Sequence, residues 1–196
     1  MQMKALQERI LKEGFCLPGN VLKVDSFINH QIDPEFTIEM GKEIARRFAG
    51  TEIDKVVTVE ASGIAIAMAA AYELGTKLVF ARKNPSVLMR EEMYSCPIRS
   101  FTKKETKTVA ILKKFLKAGE RILIIDDFLA DGNAALGLSN IVEQADCEVV
   151  GIGIVIEKSF QPGANRIKEA GYRLESLARV KSLDNCNITF MEDDEE

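Results

Sequence analysis

The sequence predicts a single α/β domain, in which a parallel sheet carries helices on both faces. Three observations lead to this prediction: apolar runs without alternation, helical stretches that follow them, and short loops between the two. Apolar runs without alternation are typical of parallel strands that are buried on both faces. Strands that alternate with helices in this way predict a parallel sheet. The length of 196 residues allows one domain, 1–196, with a substantial core, and no linker divides it.

Helices are predicted where apolar residues recur with a helical period. Leu6, Ile10 and Leu11 share one face of the first helix. The alanine-rich third helix stops at Gly75, and glycine is common just beyond the end of a helix. The four predicted helices span residues 1–14, 34–48, 64–74 and 134–144.

Strands are predicted where a short apolar run stands between loops. The clearest is the run Ile122–Ile125, with four large apolar residues in a row. A short leader strand is also predicted ahead of the second helix. By contrast, residues 84–107 combine many charges with little apolar pattern, so we expect a long connection there, of the kind that often forms a lid. The predicted strands of the sheet span residues 55–59, 77–81, 108–112, 121–125 and 148–156.

Composition limits the function classes. With 46% hydrophobic and 29% charged residues, the chain has the make-up of a globular protein. Its net charge of −4 argues against a general nucleic-acid binder, and no apolar stretch is long enough to span a membrane. The N-terminal helix lacks the apolar core of a secretory signal, so we expect a cytoplasmic protein. The four cysteines are far apart and form no zinc motif, so we expect ordinary thiols.

Two adjacent carboxylates, Asp126 and Asp127, follow the central apolar run. Burying unpaired charge is costly, so we expect both acids beyond the carboxyl end of the strand, at the edge where open α/β sheets bind ligands. A carboxylate can accept hydrogen bonds from sugar hydroxyls, and its negative charge suits a cation-like carbon in a transition state. The alternative is an acidic pair that only ends a strand in a solvated turn.

A short loop with a glycine follows the acidic pair and opens the next helix. Its backbone N–H groups and the helix dipole offer a site for an anion, and Gly132 permits close approach or a positive φ. We expect Asp131 to point to solvent, because a carboxylate that faced a phosphate would repel it. Together with the acidic pair, the loop predicts a ribose 5-phosphate site. The loop consists of Ala130, Asp131, Gly132, Asn133 and Ala134.

Residues 122–134 resemble the phosphoribosyl diphosphate (PRPP) motif of the type I phosphoribosyltransferases, which has four apolar residues, an acidic pair and a phosphate loop. The resemblance implies the type I phosphoribosyltransferase fold, with a small hood over the carboxyl edge of the sheet. The chain departs from many members in having Ala130 and Ala134 where they have a serine or threonine. It is most similar to the bacterial branch that uses xanthine, and this similarity is carried by residues 21–27, 29–31, 60–65 and 157–163.

A second strand–loop–helix turn offers another anion site at Ala61, Ser62 and Gly63. The resemblance implies that this loop takes the pyrophosphate group. Arg82 and Lys83 follow the next predicted strand, and two cations at the same edge of the sheet would neutralise pyrophosphate. Two alternatives stay open: a plain N-cap role for the serine, which is compatible with the first role, and a solvated basic turn for the two cations.

Recognition of the base is predicted from residues that follow the last strand. Lys158 can only donate hydrogen bonds, so it favours an oxo purine over an amino purine, and Phe160 could stack on a purine face. The resemblance implies that Leu22 and Asn29 also line the base pocket. Without the resemblance, a surface lysine, a core phenylalanine, a core leucine and a turn asparagine are the alternatives.

The resemblance also implies two covering parts around the site. Residues 1–33 and those after 157 contribute the hood. The connection 84–107 is the flexible loop that closes over PRPP and keeps out water, which would compete as the nucleophile. Its candidate cations, without an assigned contact, are Arg99, Lys103 and Lys104.

The activity implied by the resemblance is transfer of 5-phosphoribose from PRPP to xanthine, which gives xanthosine 5′-monophosphate (XMP) and pyrophosphate in purine salvage. Mg²⁺ would be held through PRPP and pyrophosphate oxygens, with no protein ligand. A homodimer that binds neither nucleic acid nor membrane is expected. The alternatives are a hypoxanthine or guanine phosphoribosyltransferase, which the base pocket would distinguish, and a PRPP-sensing transcription regulator, against which the negative net charge argues.

Overall fold

A computed structural model describes residues 1–83, 85, 92–99 and 106–193 of the chain. None of the helices in these ranges is long and apolar enough to cross a membrane. The helices are α1 (Lys4–Glu13), α2 (Pro34–Arg47), α3 (Gly63–Glu73), α4 (Asn133–Gln144) and α5 (Gly163–Glu169). The strands are β1 (Phe15–Leu17), β2 (Val21–Lys23), β3 (Lys55–Val59), β4 (Lys77–Lys83), β5 (Met93–Arg99), β6 (Thr106–Leu112), β7 (Arg121–Leu129), β8 (Glu148–Lys158), β9 (Leu174–Ser182) and β10 (Thr189–Phe190). Single helical turns lie at Asp25–Asn29, Lys113–Phe115 and Asp184–Cys186.

Eight strands of the described ranges form one sheet, in the order β10–β9–β8–β7–β3–β4–β6–β5. The five inner strands, from β9 to β4, run parallel. The outer strands β10, β6 and β5 pair antiparallel with their neighbours. The predicted parallel sheet is therefore confirmed for the centre, and the antiparallel edges were not predicted. A separate hairpin joins β1 and β2.

The central strand β7 is buried on both of its faces. Leu123 and Ile125 belong to the core on one side of the sheet, and Ile122 and Ile124 belong to the core on the other side. Residues of α1, α2 and α3 complete the first core, and residues of α4 and α5 complete the second. The prediction of helices on both faces is confirmed, because an apolar run without alternation has to be covered on each side.

Strand β7 continues to Leu129, so Asp126 and Asp127 lie within the strand and not beyond it. Only 6% and 7% of their surfaces are exposed. The prediction that charge would keep them out of the strand was wrong, and the register explains why. Strand β3 pairs with β7 only as far as Ile124, whereas β8 accompanies β7 to its end. Beyond Ile124 one edge of β7 is open, so the two acids belong to the sheet and still face a cleft.

The connection 84–107 contains a strand that the sequence analysis missed, β5, which pairs antiparallel with β6. Tyr94, Cys96 and Ile98 alternate along β5 and pack against the core that α4 covers. A proline and the neighbouring charges hid this period of two in the sequence. Within the expected lid, positions 84, 86–91 and 100–105 lie outside the described residues. The expectations for Lys103, Lys104 and the side chain of Arg99 fall on this undescribed part.

The two segments expected to form the hood lie in different places. Much of the chain after residue 157 returns to the main sheet, because β9 pairs with β8 and β10 pairs with β9. The N-terminal segment does reach the carboxyl edge of the sheet. There Lys158 Nζ donates a hydrogen bond to the carbonyl of Asn20 at 2.9 Å, and Asn29 Nδ2 donates to Asp127 Oδ2 at 2.6 Å. Asn20 and Asn29 therefore contact the edge that holds the acidic pair, whereas α1 packs in the core.

Candidate active site

A cleft of about 360 Å³ opens at the carboxyl edge of the parallel strands. Its walls come from the end of β7, from the loops that follow β3 and β7, and from Ile98 and Lys107 of the β5–β6 hairpin. The sequence analysis predicted the acidic pair and the two loops from separate motifs, and the structure brings them to one place. The predicted residues that line the cleft are Ser62, Lys83, Asp126, Asp127, Ala130, Asp131, Gly132 and Ala134.

Asp126 is held tightly at the wall of the cleft. Its Oδ1 accepts a hydrogen bond from the backbone N–H of Asp127 at 3.0 Å. Burial raises the pKa of Asp126 well above the usual range of an aspartate, and the neighbouring charge of Asp127 raises it further. Helix α3 begins against this carboxyl group, since a Cβ on Gly63 would lie 3.0 Å from Asp126 Oδ1. A ligand that donates hydroxyl hydrogen bonds here would favour the ionised form.

Asp127 contacts a residue from the distant N-terminal segment. Asn29 ends the helical turn Asp25–Asn29, in which Phe27 and Ile28 are buried and fix the turn to the core. Its Nδ2 donates to Asp127 Oδ2 at 2.6 Å. The sequence analysis assigned Asn29 to the base pocket, and the structure places its amide against the acidic pair, a contact that no spacing in the sequence indicated.

The loop between β7 and α4 has the backbone that the sequence predicted and a different side-chain arrangement. Gly132 has a φ of +82°, in the left-handed region that favours glycine. Asp131 turns back onto the loop, where its Oδ1 accepts from the backbone N–H of Asn133 at 3.0 Å and its Oδ2 accepts from Asn133 Nδ2 at 2.6 Å. The prediction that Asp131 points to solvent was therefore wrong. The first turn of α4 offers N–H groups without helical partners, and a nearby carboxylate accepts from them.

Helix α5 contacts the β7–α4 loop through Gly163 and Arg166. The N–H of Gly163 donates to the carbonyl of Ala130 at 3.0 Å, and a Cβ on Gly163 would lie 2.5 Å from that same oxygen. Arg166 Nη1 donates to the carbonyl of Asp131 and, at 2.9 Å, to Asn133 Oδ1. Sequence reasoning missed α5 and Arg166. The one available signal was Gly163, which lies in a block that resembles the family.

The second loop, between β3 and α3, also faces the cleft. Ser62 lines it and stands at the N-cap position of α3, where its side chain makes no capping hydrogen bond. Glu60, which the sequence analysis did not single out, accepts a hydrogen bond from the N–H of Lys83 at 2.6 Å and lies 3.8 Å from Arg82 Nε. Successive side chains of a strand point to opposite faces, so Lys83 lines the cleft and Arg82 lies on the other face of β4.

The four residues predicted for the base occupy different environments. Lys158 is the last residue of β8, and burial lowers its pKa. Its ammonium group lies 5.7 Å from the ring centroid of Phe128, an aromatic residue of the cleft that the sequence analysis passed over. Phe160 is 37% exposed at the surface, whereas Leu22 is buried in the core on the α1–α3 side.

The acidic pair also bears on metal binding. Within the described ranges, no three or more His, Cys, Asp or Glu side chains gather into a metal-binding group. The oxygen atoms of Asp126 and Asp127 are of the kind that Mg²⁺ prefers. The residues present therefore fit a magnesium ion that arrives with phosphate and sugar oxygens as its main ligands.

An acidic pair between two helix-opening loops is typical of a binding site for a sugar that carries phosphate groups at both ends. Comparison with known proteins agrees. The phosphoribosyl transferase domain family matches residues 35–190, and the chain belongs to this family. It is 55% identical to the xanthine phosphoribosyltransferase of Bacillus cytotoxicus over 190 residues, which cover 97% of this chain and 96% of that protein. The xanthine phosphoribosyltransferase of a Bacillus cereus strain is 54% identical over the same shares of both chains.

Solved structures agree with the predicted fold. An adenine phosphoribosyltransferase from Rhodothermus marinus matches with a TM-score of 0.72 and 23% identity, over 90% of this chain and 99% of that one. An adenine phosphoribosyltransferase from Thermoanaerobacter pseudethanolicus matches with a TM-score of 0.63 and 29% identity, over 74% of this chain and 80% of that one. The resemblance stated from the sequence and the fold class it implied are both confirmed.

Proposed function

We propose that the protein transfers 5-phosphoribose from PRPP to xanthine, with XMP and pyrophosphate as products, and so serves purine salvage. The observation that carries this proposal is a cleft in which an acidic pair lies between two helix-opening loops. Support for xanthine comes from the identity of 55% over 97% of the chain to a xanthine phosphoribosyltransferase.

The ribose 5-phosphate part of PRPP fits the β7–α4 side of the cleft. Asp126 and Asp127 accept hydrogen bonds from the 2′- and 3′-hydroxyls, and their negative charge stabilises the cationic character that C1 gains as pyrophosphate leaves. Backbone N–H groups of residues 130–134 hold the 5′-phosphate at the start of α4. Catalysis on this plan is mostly positioning and electrostatic stabilisation.

The pyrophosphate part fits the β3–α3 side. The N–H groups of Ala61, Ser62 and Gly63 bind its oxygens at the start of α3, and Lys83 supplies a positive charge from the neighbouring strand. Mg²⁺ held through PRPP oxygens would supply positive charge against the leaving pyrophosphate. Arg82 acts from the other face of β4, where its contact with Glu60 adjusts the charge around this loop.

Base recognition joins the end of β8 to the N-terminal segment. Lys158 now donates to the carbonyl of Asn20, and an exocyclic oxygen of xanthine takes over this hydrogen bond when the base enters. An ammonium group cannot accept a hydrogen bond, so the amino group of adenine is disfavoured. Asn29 reaches the base from its place beside Asp127, Leu22 supplies apolar backing, and Phe160, in the turn after β8, stacks on the base.

A homodimer is also part of the proposal. On the far side of the β4–β6 pair, a groove of about 650 Å³ is lined largely by apolar residues. Phe80 and Phe115 both line it, with 42% and 46% of their surfaces exposed. Contact with a second copy would bury these rings. Light scattering on Phe80→Asp should show a monomer where the parent chain is a dimer, and an unchanged dimer would exclude this face.

A base panel tests the proposed reaction. The protein is incubated with PRPP and Mg²⁺, with xanthine, guanine, hypoxanthine or adenine in separate reactions, and nucleotide product is measured by chromatography. We expect strong preference for xanthine and almost no product from adenine. The double variant Asp126→Asn/Asp127→Asn serves as the inactive control. Preference for hypoxanthine or guanine would retain the enzyme class and overturn the base assignment. Binding of PRPP without turnover of any base would support the regulator.

A further inference from the structure

The proposed phosphate loop contains a negative charge that would repel a bound anion. Asp131 lies in the loop, and its Oδ1 accepts from the backbone N–H of Asn133 at 3.0 Å. That N–H belongs to the first residue of α4 and is one of the donors expected to face a phosphate. A carboxylate at this place weakens an anion site both by repulsion and by occupying a donor.

The guanidinium group of Arg166 places a positive charge against the same loop. Arg166 Nη1 donates to the main-chain carbonyl of Asp131 and to Asn133 Oδ1. The amide of Asn133 is thus held from both ends, with its oxygen on Arg166 and its Nδ2 on the Asp131 carboxylate. The three side chains form one hydrogen-bonded chain that joins a cation to an anion through a neutral amide.

The helix that carries Arg166 is fixed to the loop independently of this arginine. Gly163 N–H donates to the carbonyl of Ala130, and a Cβ on Gly163 would lie 2.9 Å from the backbone nitrogen of Gly132. Ile167 is fully buried in the core on the α4 side. Arg166 is therefore presented to the loop by a backbone that does not depend on its side chain, and its removal should leave α5 in place.

We propose that Arg166 is a positioning residue of the phosphate loop, which holds Asn133 and neutralises Asp131 so that the loop can accept the 5′-phosphate of PRPP. This inference rests on the proposed function, since it assumes that the loop binds that phosphate. Arg166 acts through the loop, and no contact with the substrate is needed. Its effect should therefore appear at the ribose 5-phosphate end of PRPP and not at the pyrophosphate end or at the base.

A double-mutant cycle of Arg166→Met and Asp131→Asn tests this directly. Calorimetry measures the Kd of PRPP, ribose 5-phosphate and pyrophosphate, and steady-state kinetics measure KM for PRPP and for xanthine. We expect Arg166→Met to weaken ribose 5-phosphate and PRPP about 10-fold, with pyrophosphate and the KM for xanthine changed less than about 2-fold. In the Asp131→Asn background the same arginine change should cost only about 3-fold, because the charge to be neutralised is gone.

Two further variants separate charge from other effects. Lys168→Met removes a cation from an exposed position on the same helix and should leave every constant within about 2-fold. Arg166→Lys keeps the charge and can still donate hydrogen bonds but loses the planar guanidinium geometry, so its loss should lie between those of the parent chain and Arg166→Met. Thermal unfolding of each variant shows whether α5 and its core remain intact.

Two results would overturn the inference. An Arg166→Met loss of the same size with Asp131 and with Asn at 131 would exclude neutralisation of Asp131. An equal loss for pyrophosphate and ribose 5-phosphate would show a general disturbance of the fold. The binding of ribose 5-phosphate needs no xanthine, so failure of the transfer reaction and failure of this inference give different results.

Discussion

The two loops that face the cleft share one plan and differ in how each accommodates an acidic residue. Both follow a central parallel strand, and both open a helix toward the same cleft. Glu60 stands at the start of one loop, and Asp131 stands inside the other. Each site is proposed to bind an anion, so each acid works against the function of its own loop.

The partners of the two acids explain how both are tolerated. Glu60 reaches out of its loop and accepts from the N–H of Lys83 on β4, with Arg82 Nε at 3.8 Å. Asp131 stays inside its loop, bonded to Asn133, and the compensating cation, Arg166, comes from α5. In the first loop the sheet supplies the positive charge, and in the second loop a separate helix does. The first arrangement leaves the loop's own N–H groups to a ligand, whereas the second occupies one of them.

The largest expected effect comes from filling the space behind each loop. A Cβ on Gly63 would lie 2.4 Å from the side-chain oxygen of Thr58, so alanine there must displace that side chain or the start of α3. A Cβ on Gly163 would lie 2.5 Å from the Ala130 carbonyl, so alanine there must displace backbone. We expect both variants to lose about 100-fold in kcat/KM for PRPP, because small displacements of bound substrate are costly. In calorimetry Gly63→Ala should lose mainly pyrophosphate, and Gly163→Ala mainly ribose 5-phosphate.

Gly119 offers a matched control for these glycine changes. It has a φ of +83°, and a Cβ there would meet nothing within 4 Å, so Gly119→Ala tests backbone strain without crowding. We expect it to lower the melting temperature and to leave both affinities unchanged. If Gly63→Ala and Gly163→Ala each lost both ligands equally, the assignment of one loop to each end of PRPP would be wrong.

The acidic pair lies between the two loops. The variant Asp126→Asn should separate the catalytic role of the Asp126 carboxylate from the effect of that carboxylate on stability. We expect kcat to fall about 30-fold, because the carbonyl of an amide still accepts hydrogen bonds and only the negative charge under C1 is lost. Burial and Asp127 raise the pKa of Asp126, so its ionisation opposes folding at neutral pH. The variant should therefore melt at a higher temperature than the parent chain at pH 7.

The sign of that stability gain can be checked by pH. A carboxyl group whose pKa is raised on folding destabilises the protein above its unfolded pKa of about 3.9, and below that value both states are protonated. The difference in melting temperature between Asp126→Asn and the parent chain should thus be positive at pH 7 and vanish toward pH 4. A lower melting temperature for the variant at pH 7 would show that the carboxylate stabilises the fold.

The base end should respond more weakly and separately from both loops. Lys158→Met should raise the KM for xanthine about 10-fold and leave the KM for PRPP within about 2-fold, because one charge-assisted hydrogen bond is lost. Lys158→Arg keeps a donor and should recover part of the loss. Equal increases in both KM values would contradict a base-reading role.

The sequence predicts mainly those structural features that depend on residues close together in the chain, and it misses contacts between distant segments. The apolar run before Asp126 indicates a buried parallel strand, and Gly132 indicates a positive φ, because both requirements act within a few residues. The strand β5 was missed because Pro97 interrupts a short alternating run. The orientation of Asp131 is also local, because its carboxylate accepts from Asn133 two residues further on, and the sequence interpretation missed it by weighing repulsion from a phosphate alone. The contact of Arg166 joins parts that meet only after folding, and no spacing in the sequence indicates it.

The smallest expected effect is the most direct test of the comparison between the loops. In Glu60→Gln the side-chain oxygen can still accept from the N–H of Lys83, so the loop keeps its shape and loses only a negative charge. We expect pyrophosphate to bind about 2- to 3-fold more tightly, with a larger gain at low salt, and ribose 5-phosphate to bind unchanged. Asp131→Asn should give the converse pattern, a small gain for ribose 5-phosphate alone. If Glu60→Gln instead weakened pyrophosphate, the carboxylate would be required to hold Lys83 in place, and the first loop would depend on its acid more than the second does.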